Sequence, residues 1–142
     1  MINGGGRQMA LKQLSVFLEN REGRLEDLFQ VFGENSIQIH SFSLAESSEY
    51  GILRLIVSNP EKAKDALKAV DFSASLTDVV AVRLPGGFDS LKSVTDAVTS
   101  NYNIEYMYVL STEPGQQAIV FKIKDVAEVE KSLEEKGFEL IN

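Results

Sequence analysis

The sequence of 142 residues repeats its apolar pattern after 66 residues. When it is shifted by that distance, apolar residues fall on apolar residues along most of its length. The matched pairs include Leu14 with Val80, Leu28 with Val94, Leu55 with Phe121, and Leu67 with Leu133. Because agreement of this extent is rare by chance, the sequence predicts two copies of one structural unit, at residues 11–77 and 78–142.

Both copies carry the same order of secondary-structure signals. Alternating apolar residues or short apolar runs predict strands, and apolar residues at helical spacing predict helices. In the first copy the predicted order βαββαβ falls at residues 14–18, 24–32, 37–44, 52–57, 60–69 and 72–76. In the second copy it falls at residues 79–84, 89–98, 103–110, 118–123, 126–136 and 138–141.

Several residues predict where these elements begin, end or bend. Asn59, followed by proline, is a typical N-cap, and Gly33 is placed to end the first helix. Asp125, with a glutamate three residues later, predicts a capping box, and Gly137 predicts a left-handed stop. The apolar phase changes near His40, which predicts a bulge in the second strand.

A βαββαβ unit of this length folds as a four-stranded antiparallel sheet with both helices on one face. The predicted class is therefore α+β, with two ferredoxin-like domains. Units this small bury little surface alone, so the two are expected to pack together. Joining side by side is the arrangement we expect, and face-to-face packing is the alternative.

Composition excludes several kinds of site. Without cysteine, the chain has no disulfide, cysteine nucleophile or thiolate zinc site, and a single histidine excludes histidine-rich metal sites. Fourteen basic and twenty-one acidic residues give a net charge of −7, which disfavours nucleic acid as a partner. No apolar run is long enough to cross a bilayer. We expect no cofactor, no metal, no nucleic acid and no membrane among its ligands and partners.

Residues 1–10 contain three consecutive glycines and no apolar stretch. Such a segment is typical of a disordered native tail or an expression-tag remnant, and Met9 is a candidate native start. It does not match a secretory signal, so a cytoplasmic location is expected.

The acidic residues Glu128, Glu130, Glu134 and Glu135 alternate with lysines and predict the solvent-exposed face of the last helix.

The segment between the first strand and the first helix, residues 19–25, reads Glu-Asn-Arg-Glu-Gly-Arg-Leu. It resembles the D/N-x-P-G-x-L loop of ACT domains, with Glu22 in place of the proline. Further segments similar to this family lie at 36–39, 50–54, 84–88, 101–104 and 105–108. The resemblance, to free-standing tandem ACT proteins, covers residues 11–141. Asp89 stands where the repeat would place a glycine equivalent to Gly23, so the resemblance leaves open one site or two.

This resemblance implies a non-catalytic regulatory protein that binds a small amino acid at the interface between two ACT domains. It also implies a regulated enzyme as partner, and a homodimer. In this family the ligand lies where the loop and first helix of one domain meet the second strand of a neighbour. Carried over, the implied ligand-binding residues are Asn20, Arg21, Glu22, Gly23, Arg24, Leu25, Glu105, Tyr106, Met107 and Tyr108.

The chemistry of these residue types agrees with a ligand site and also with simpler interpretations. The N–H groups at the start of a helix and the small Gly23 favour a carboxylate, but Gly23 can merely complete a turn. Glu105 is suited to an ammonium group or is a solvated carboxylate. Tyr106 and Tyr108 form a pocket wall or are half-buried strand aromatics. By the same symmetry, residues 40–42 would face the second loop.

The sequence leaves open the roles of two further polar residues. Arg54 lies in an otherwise apolar strand and is expected to pair with Glu46 or Glu49, or else to reach a ligand carboxylate. His40 has no companion residues in a recognisable catalytic motif, so no catalytic residue is predicted.

Two further function classes compete with the amino-acid sensor. One is a ligand-free interaction or dimerisation module that uses its exposed sheet edges and faces. The other is a small enzyme or RNA binder, since ferredoxin-like folds host both. The predicted central strands lack the basic and stacking aromatic residues of an RNA-recognition domain, and only Arg21 and Arg24 fit an acylphosphatase-like loop.

Overall fold

A computed structural model describes residues 10–19, 22–46 and 49–142. Their contacts divide the chain into two compact units. One spans Lys12–Thr77, and the other consists of Asp78–Asn142 together with Ala10 and Leu11. None of the helices in these described ranges is long and apolar enough to cross a bilayer.

The first unit contains three complete strands, two helices and the beginning of a fourth strand. Its elements are β1 (Leu11–Glu19), α1 (Arg24–Glu34), β2 (Ile39–Glu46), β3 (Tyr50–Val57), α2 (Pro60–Lys68) and the first part of β4 (Ser73–Leu84). The strand order is β2-β3-β1, with β4 next to β1. Both β2 and β1 pair with β3 in antiparallel register.

The second unit repeats this order. The rest of β4 is followed by a 3-10 turn (Gly87–Ser90), α3 (Leu91–Thr99), β5 (Tyr106–Glu113), β6 (Gln116–Lys122) and α4 (Val126–Glu135). The strand order is β4-β6-β5, again antiparallel. The predicted α+β class, with ferredoxin-like antiparallel sheets, is therefore confirmed.

Three predicted strands differ in the structure. Residues 72–76 and 79–84 were expected to form separate strands, but β4 runs unbroken from Ser73 to Leu84. The intervening Thr77 and Asp78 contain no glycine or proline to turn the chain. The predicted last strand is reduced to one bridge, Val82 with Leu140, flanked by backbone hydrogen bonds.

Each unit has its own apolar core between its helices and one face of its strands. Because the two helices bury residues in the same cluster as alternate strand residues, they lie on one face of the sheet. In the first unit the cluster includes Leu14, Val16 and Leu18 of β1, Leu53, Leu55 and Val57 of β3, Leu28 and Phe32 of α1, and Ala63 and Leu67 of α2. In the second it includes Val80, Val82, Leu84, Val94, Val98, Ile119, Phe121, Val129 and Leu133.

The end of α1 corrects one prediction. Gly33 lies inside the helix, and Ser36 instead takes the left-handed conformation, with φ of 56°. The N–H of Ile37 donates to the carbonyl of Phe32 at 2.9 Å. The helix stops there because Ile37 must return to the core beside Phe32, and both are buried.

Three other predicted boundaries and bends are confirmed. The Oδ1 of Asn59 accepts from the N–H of Lys62 at 3.2 Å, and Gly137 has φ of 89°, so both predictions are confirmed. The predicted bulge near His40 is also confirmed, because the pairing of β2 with β3 shifts register between Ile39 and Ser41.

The predicted capping box at α4 is wrong. Asp125 precedes the helix, but its side chain makes no capping hydrogen bond. The Oε1 of Glu128 accepts instead from the hydroxyl of Tyr102 at 2.6 Å. This bond ties Glu128 to the segment before β5, which the local spacing in α4 cannot reveal.

Candidate functional site

The turn from β1 into α1 contains a backbone conformation that favours glycine. Gly23 immediately precedes α1 and has φ of 85°. A β-carbon built there would meet no atom within 4 Å, so the conformation, not crowding, makes glycine suitable. Gly23 has no side chain to cap the helix. The start of α1 carries the positive end of the helix dipole, so an anion is favoured near it.

A cavity of about 130 Å³ lies beside this turn, entirely within the first unit. It is bounded by the end of β1, the start of α1 and the ends of β2 and β3 that meet at their hairpin. The residues lining it are Leu18, Glu19, Arg24, Leu25, Leu44, Glu46, Tyr50 and Gly51. A β-carbon at Gly51 would come within 3.2 Å of Leu44 Cδ1, so this strand glycine keeps the floor of the cavity open.

Arg24 is the buried cation of the cavity. Its exposed fraction is 9%, and its guanidinium carbon lies 3.8 Å from the centre of the Phe72 ring, a cation–π geometry. The distances from Nε to Glu19 Oε1, 3.8 Å, and from Nη1 to Asp27 Oδ2, 3.9 Å, are too long for hydrogen bonds. Among the residues that the structure describes, the buried Nε has no hydrogen-bond partner. Arg24 therefore has a donor available for a ligand.

The other charges in the cavity are acidic. Glu19 and Glu46 line it together with Arg24, and the apolar side chains of Leu18, Leu25 and Leu44 form the rest of the wall. One cation beside a helix N-terminus, with two carboxylates nearby, complements a ligand that carries both a carboxylate and an ammonium group.

The comparison with protein families decides the identity of the fold. The family model described as "ACT domain pair" matches residues 9–141. The chain belongs to the ACT domain pair family.

Solved structures agree with this assignment. The ACT domain pair is 35% identical to protein BT0572 from Bacteroides thetaiotaomicron, with a TM-score of 0.86, covering 94% of this chain and 92% of that one. It is 17% identical to the regulatory subunit of aspartate kinase from Thermus thermophilus in its ligand-free form, with a TM-score of 0.62, covering 89% and 92%. The corresponding Thermus flavus subunit gives 17% identity, a TM-score of 0.58, and 90% and 93% coverage. At 17% identity these two subunits show the fold alone. No curated protein matches the chain.

The structure places the predicted loop residues of this ACT domain pair as follows. Gly23, Arg24 and Leu25 lie at the start of α1, where Arg24 and Leu25 line the cavity. Glu22 is an exposed turn residue. Asn20 and Arg21 lie outside the described residues, as do nine of the ten residues of the expected N-terminal tail.

The remaining predicted residues belong to the second unit. Tyr106 and Tyr108 face one side of β5, and Met107 faces the other, because strand side chains alternate. Tyr108 is buried, and Met107 is exposed. Glu105 Oε2 lies 4.0 Å from Lys122 Nζ, so this carboxylate already has a cation near it. The role of these four residues in a ligand site stays a prediction.

Sequence reasoning missed several residues of the cavity. Glu46, Leu44 and Gly51 line it but were not predicted as site residues. The tyrosine–glycine pair at residues 50–51 was the available signal, since a glycine inside a strand often marks a place where a ligand or another backbone comes close.

Arg54 and His40 take positions away from the cavity lining. Arg54 is half-buried on β3 opposite Ser15 and Ser43, on the sheet face that does not carry the core. His40 is exposed at the bulge of β2. In the ranges that the structure describes, no group of three or more acidic or histidine side chains is arranged to hold a metal ion.

Glu130 in α4 contradicts the prediction that it belongs to an exposed face. Its exposed fraction is 8%, and its Oε2 has no hydrogen-bond partner within residues 10–19, 22–46 and 49–142. Burial, with smaller contributions from the negative charges of Glu134 and Asp78, raises the pKa of the Glu130 carboxyl to about 7. The helical pattern does not predict the burial of Glu130, because the neighbours that bury this residue are not visible in the spacing of α4 itself.

Proposed function

We propose that this ACT domain pair is a non-catalytic regulatory protein that binds a small free amino acid at the cavity beside Gly23. The observation that carries the proposal is the buried Arg24 at a helix N-terminus, whose Nε lacks a hydrogen-bond partner in the described part of the chain. A buried guanidinium with an unused donor is costly unless an anion can approach it. The carboxylate of an amino acid is an anion of suitable size.

The other lining residues support the remaining parts of such a ligand. Glu46 and Glu19 are suited to the ammonium group, and Leu25 and Leu44 are suited to a short apolar side chain. A volume of about 130 Å³ favours a small amino acid over an aromatic one. We propose further that residues 105–108, from this chain or a second copy, close the site.

Regulation would follow from the coupling between ligand binding and the arrangement of the domains. A ligand that binds one arrangement of the domains more tightly than another shifts the population toward it, and an enzyme partner would respond to that shift. The Thermus relatives are named regulatory subunits, which supports a regulatory role here. We place the two ACT domains at residues 11–77 and 78–142, and the protein in the cytoplasm.

A homodimer is part of the proposal. The strand β2 stands at the end of the strand order of the first unit, and Phe42 and Leu44 on it are exposed. Both lie opposite core residues of β3, so they extend the core face beyond the cover of the helices. Leu25 and Phe29 on α1 are also exposed apolar residues. Exposed apolar strand edges are usually covered by a partner, and a second copy supplies the same surface.

Titration calorimetry against the twenty amino acids, with thermal unfolding in parallel, tests the ligand. We expect one or a few small amino acids to bind and to raise the midpoint of thermal unfolding. Absence of both heat and thermal shift with all twenty would overturn the amino-acid proposal.

The second candidate function is a ligand-free interaction module, favoured by the exposed apolar residues Phe42 and Leu44. Replacing Gly23 by valine separates the two functions, because a β-branched residue is strained at positive φ. The sensor loses its response to the amino acid in this variant. A ligand-free module keeps the same self-association and partner binding with and without amino acids.

A further inference from the structure

A second and larger cavity lies in the first unit, away from the residues that line the amino-acid cavity. Its volume is about 610 Å³, and it opens between the start of β1, the helix α2 and the first part of β4. We call it the lysine groove, and the residues that define it are Lys12, Glu61, Lys64, Lys68, Ala74, Ser75 and Leu76.

The charge of the lysine groove is opposite to that of the whole chain. Among the described residues that line it, three are lysines and one, Glu61, is acidic, in a chain of net charge −7. Like charges gathered at one concave place create a local positive potential that attracts anions. This groove is therefore suited to an anionic ligand.

The lysines come from separate elements and are partly fixed in place. Lys12 lies at the start of β1 and Lys64 on α2, and both are partly buried. The Nζ of Lys64 lies 3.4 Å from Glu61 Oε1, three residues earlier on the helix. Exposed ion pairs of this kind contribute little to stability, so an incoming anion can displace Glu61. Lys68 occupies the last turn of α2.

Part of the groove lining is apolar. Ala74 and Leu76 on β4 pack against the first core, and both line the groove beside Ser75. Apolar side chains next to ammonium groups suit a ligand with one anionic part and one flat or apolar part. The volume lies within the range of about 300–1,000 Å³ typical of small-molecule sites. It exceeds what a free amino acid or a single phosphate fills.

We propose that the lysine groove binds a phosphate-bearing small molecule of nucleotide size, with its phosphate groups on Lys12, Lys64 and Lys68. This ligand is independent of the amino acid proposed for the other cavity, since none of the lining residues is shared. An ACT domain pair with both sites would respond to two different small molecules.

Calorimetry at low ionic strength tests the groove with ADP, inorganic pyrophosphate and adenosine. We expect ADP to bind, adenosine to bind at least tenfold more weakly, and the affinity for ADP to fall as salt is added. Pyrophosphate binding comparable to that of ADP would show recognition of the phosphates alone. If ADP binds and pyrophosphate does not, the apolar part of ADP contributes to binding as well. Both results support the site, whereas equal binding of adenosine and ADP, or no binding of ADP and pyrophosphate, overturns it.

Two double variants locate the binding. The variant K64Q/K68Q removes two groove lysines and is expected to weaken ADP binding by about tenfold or more. The matched control K62Q/K131Q removes the same charge from exposed helix positions outside the groove lining and should change affinity by less than about twofold. Equal losses in both variants would overturn the site.

Acetylation of the unaltered protein gives a measurement that does not depend on variant folding. ADP should protect Lys64 and Lys68 from an acetylating reagent and leave Lys62 unprotected. Uniform protection, or none, counts against the groove. The variant R24Q should keep its affinity for ADP, so failure of the amino-acid proposal and failure of this one are distinguishable.

Discussion

Arg24 combines two roles at the level of single residues. Its stacking on Phe72 secures the start of α1 to the first core, and its unpartnered Nε remains available beside Gly23. The resemblance of the loop could point to Arg24 as a binding residue. It could not reveal the stacking, because Phe72 is distant in sequence and is brought near only by the fold.

Replacement of Arg24 by glutamine should weaken the binding of the amino acid by about tenfold or more, because the charge-assisted hydrogen bond to its carboxylate is lost. Unfolding should become easier by about 1 kcal/mol, because the cation–π contact is lost. Calorimetry and chemical denaturation measure the two effects. E26Q, on the same turn of α1 but outside the cavity lining, is the control for binding and should leave the affinity unchanged. Unchanged affinity in R24Q would contradict the role of Arg24.

Glu130 should make the stability of the protein depend on pH. Its pKa is raised from 4.5 to about 7 in the folded state, so the folded protein holds this proton more tightly than the unfolded chain. The contribution of Glu130 is therefore fully present below pH 4.5 and is lost as the pH rises to about 7. The expected loss is about 2–3 kcal/mol.

Urea denaturation across this pH range measures the contribution of Glu130. E130Q keeps the shape of the protonated side chain without its titration, so its unfolding free energy should lack this decline and exceed that of the unaltered protein at pH 8. E134Q is a weaker variant that removes one of the neighbouring charges and should reduce the decline. A decline of the same size in E130Q would show that another group is responsible.

At the level of elements, the helix ends show which local signals suffice. Asn59 and Gly137 act where their residue types predict, because an N-cap and a left-handed stop are local geometries. Gly33 does not end α1, because the position of Ile37 in the core determines where the chain must turn. Glu128 likewise bonds to Tyr102 rather than to its own helix.

A matched pair of glycine variants tests this difference. G33A should stabilise the protein by about 0.5–1 kcal/mol, because Gly33 is inside a helix and a β-carbon there meets no atom within 4 Å. G137A should destabilise it by about 1–2 kcal/mol, because φ of 89° is unfavourable for alanine. Chemical denaturation distinguishes the two signs. Destabilisation by G33A would show that this glycine is needed where it lies.

For the whole molecule, the repeat explains the architecture, since each copy forms its own core from the same pattern of apolar residues. The copies differ in their polar residues. The cavity beside Gly23 has its cation and carboxylates in the first unit, whereas residues 87–90 of the second unit form a 3-10 turn. Equal folds therefore do not imply equal sites.

The proposed homodimer gives a prediction at this scale. F42E introduces a charge on the exposed edge of the first unit and should convert the dimer to a monomer, because burying an unpaired carboxylate is costly. Analytical ultracentrifugation measures the mass in solution. F88E changes an equally exposed phenylalanine outside β2 and α1 and should leave the dimer intact. A monomer at every concentration for the unaltered protein would contradict the dimer.

The sequence by itself determined the repeat, the α+β class, most strands and helices, and the loop at Gly23, because these depend on local periodicity and on backbone preferences. Only the tertiary structure decided the cavity lined by Glu46 and Gly51, the burial of Glu130, and the lysine groove. Each of these joins residues from separate elements. Their contacts depend on how strands and helices pack, and no spacing along the chain encodes that directly.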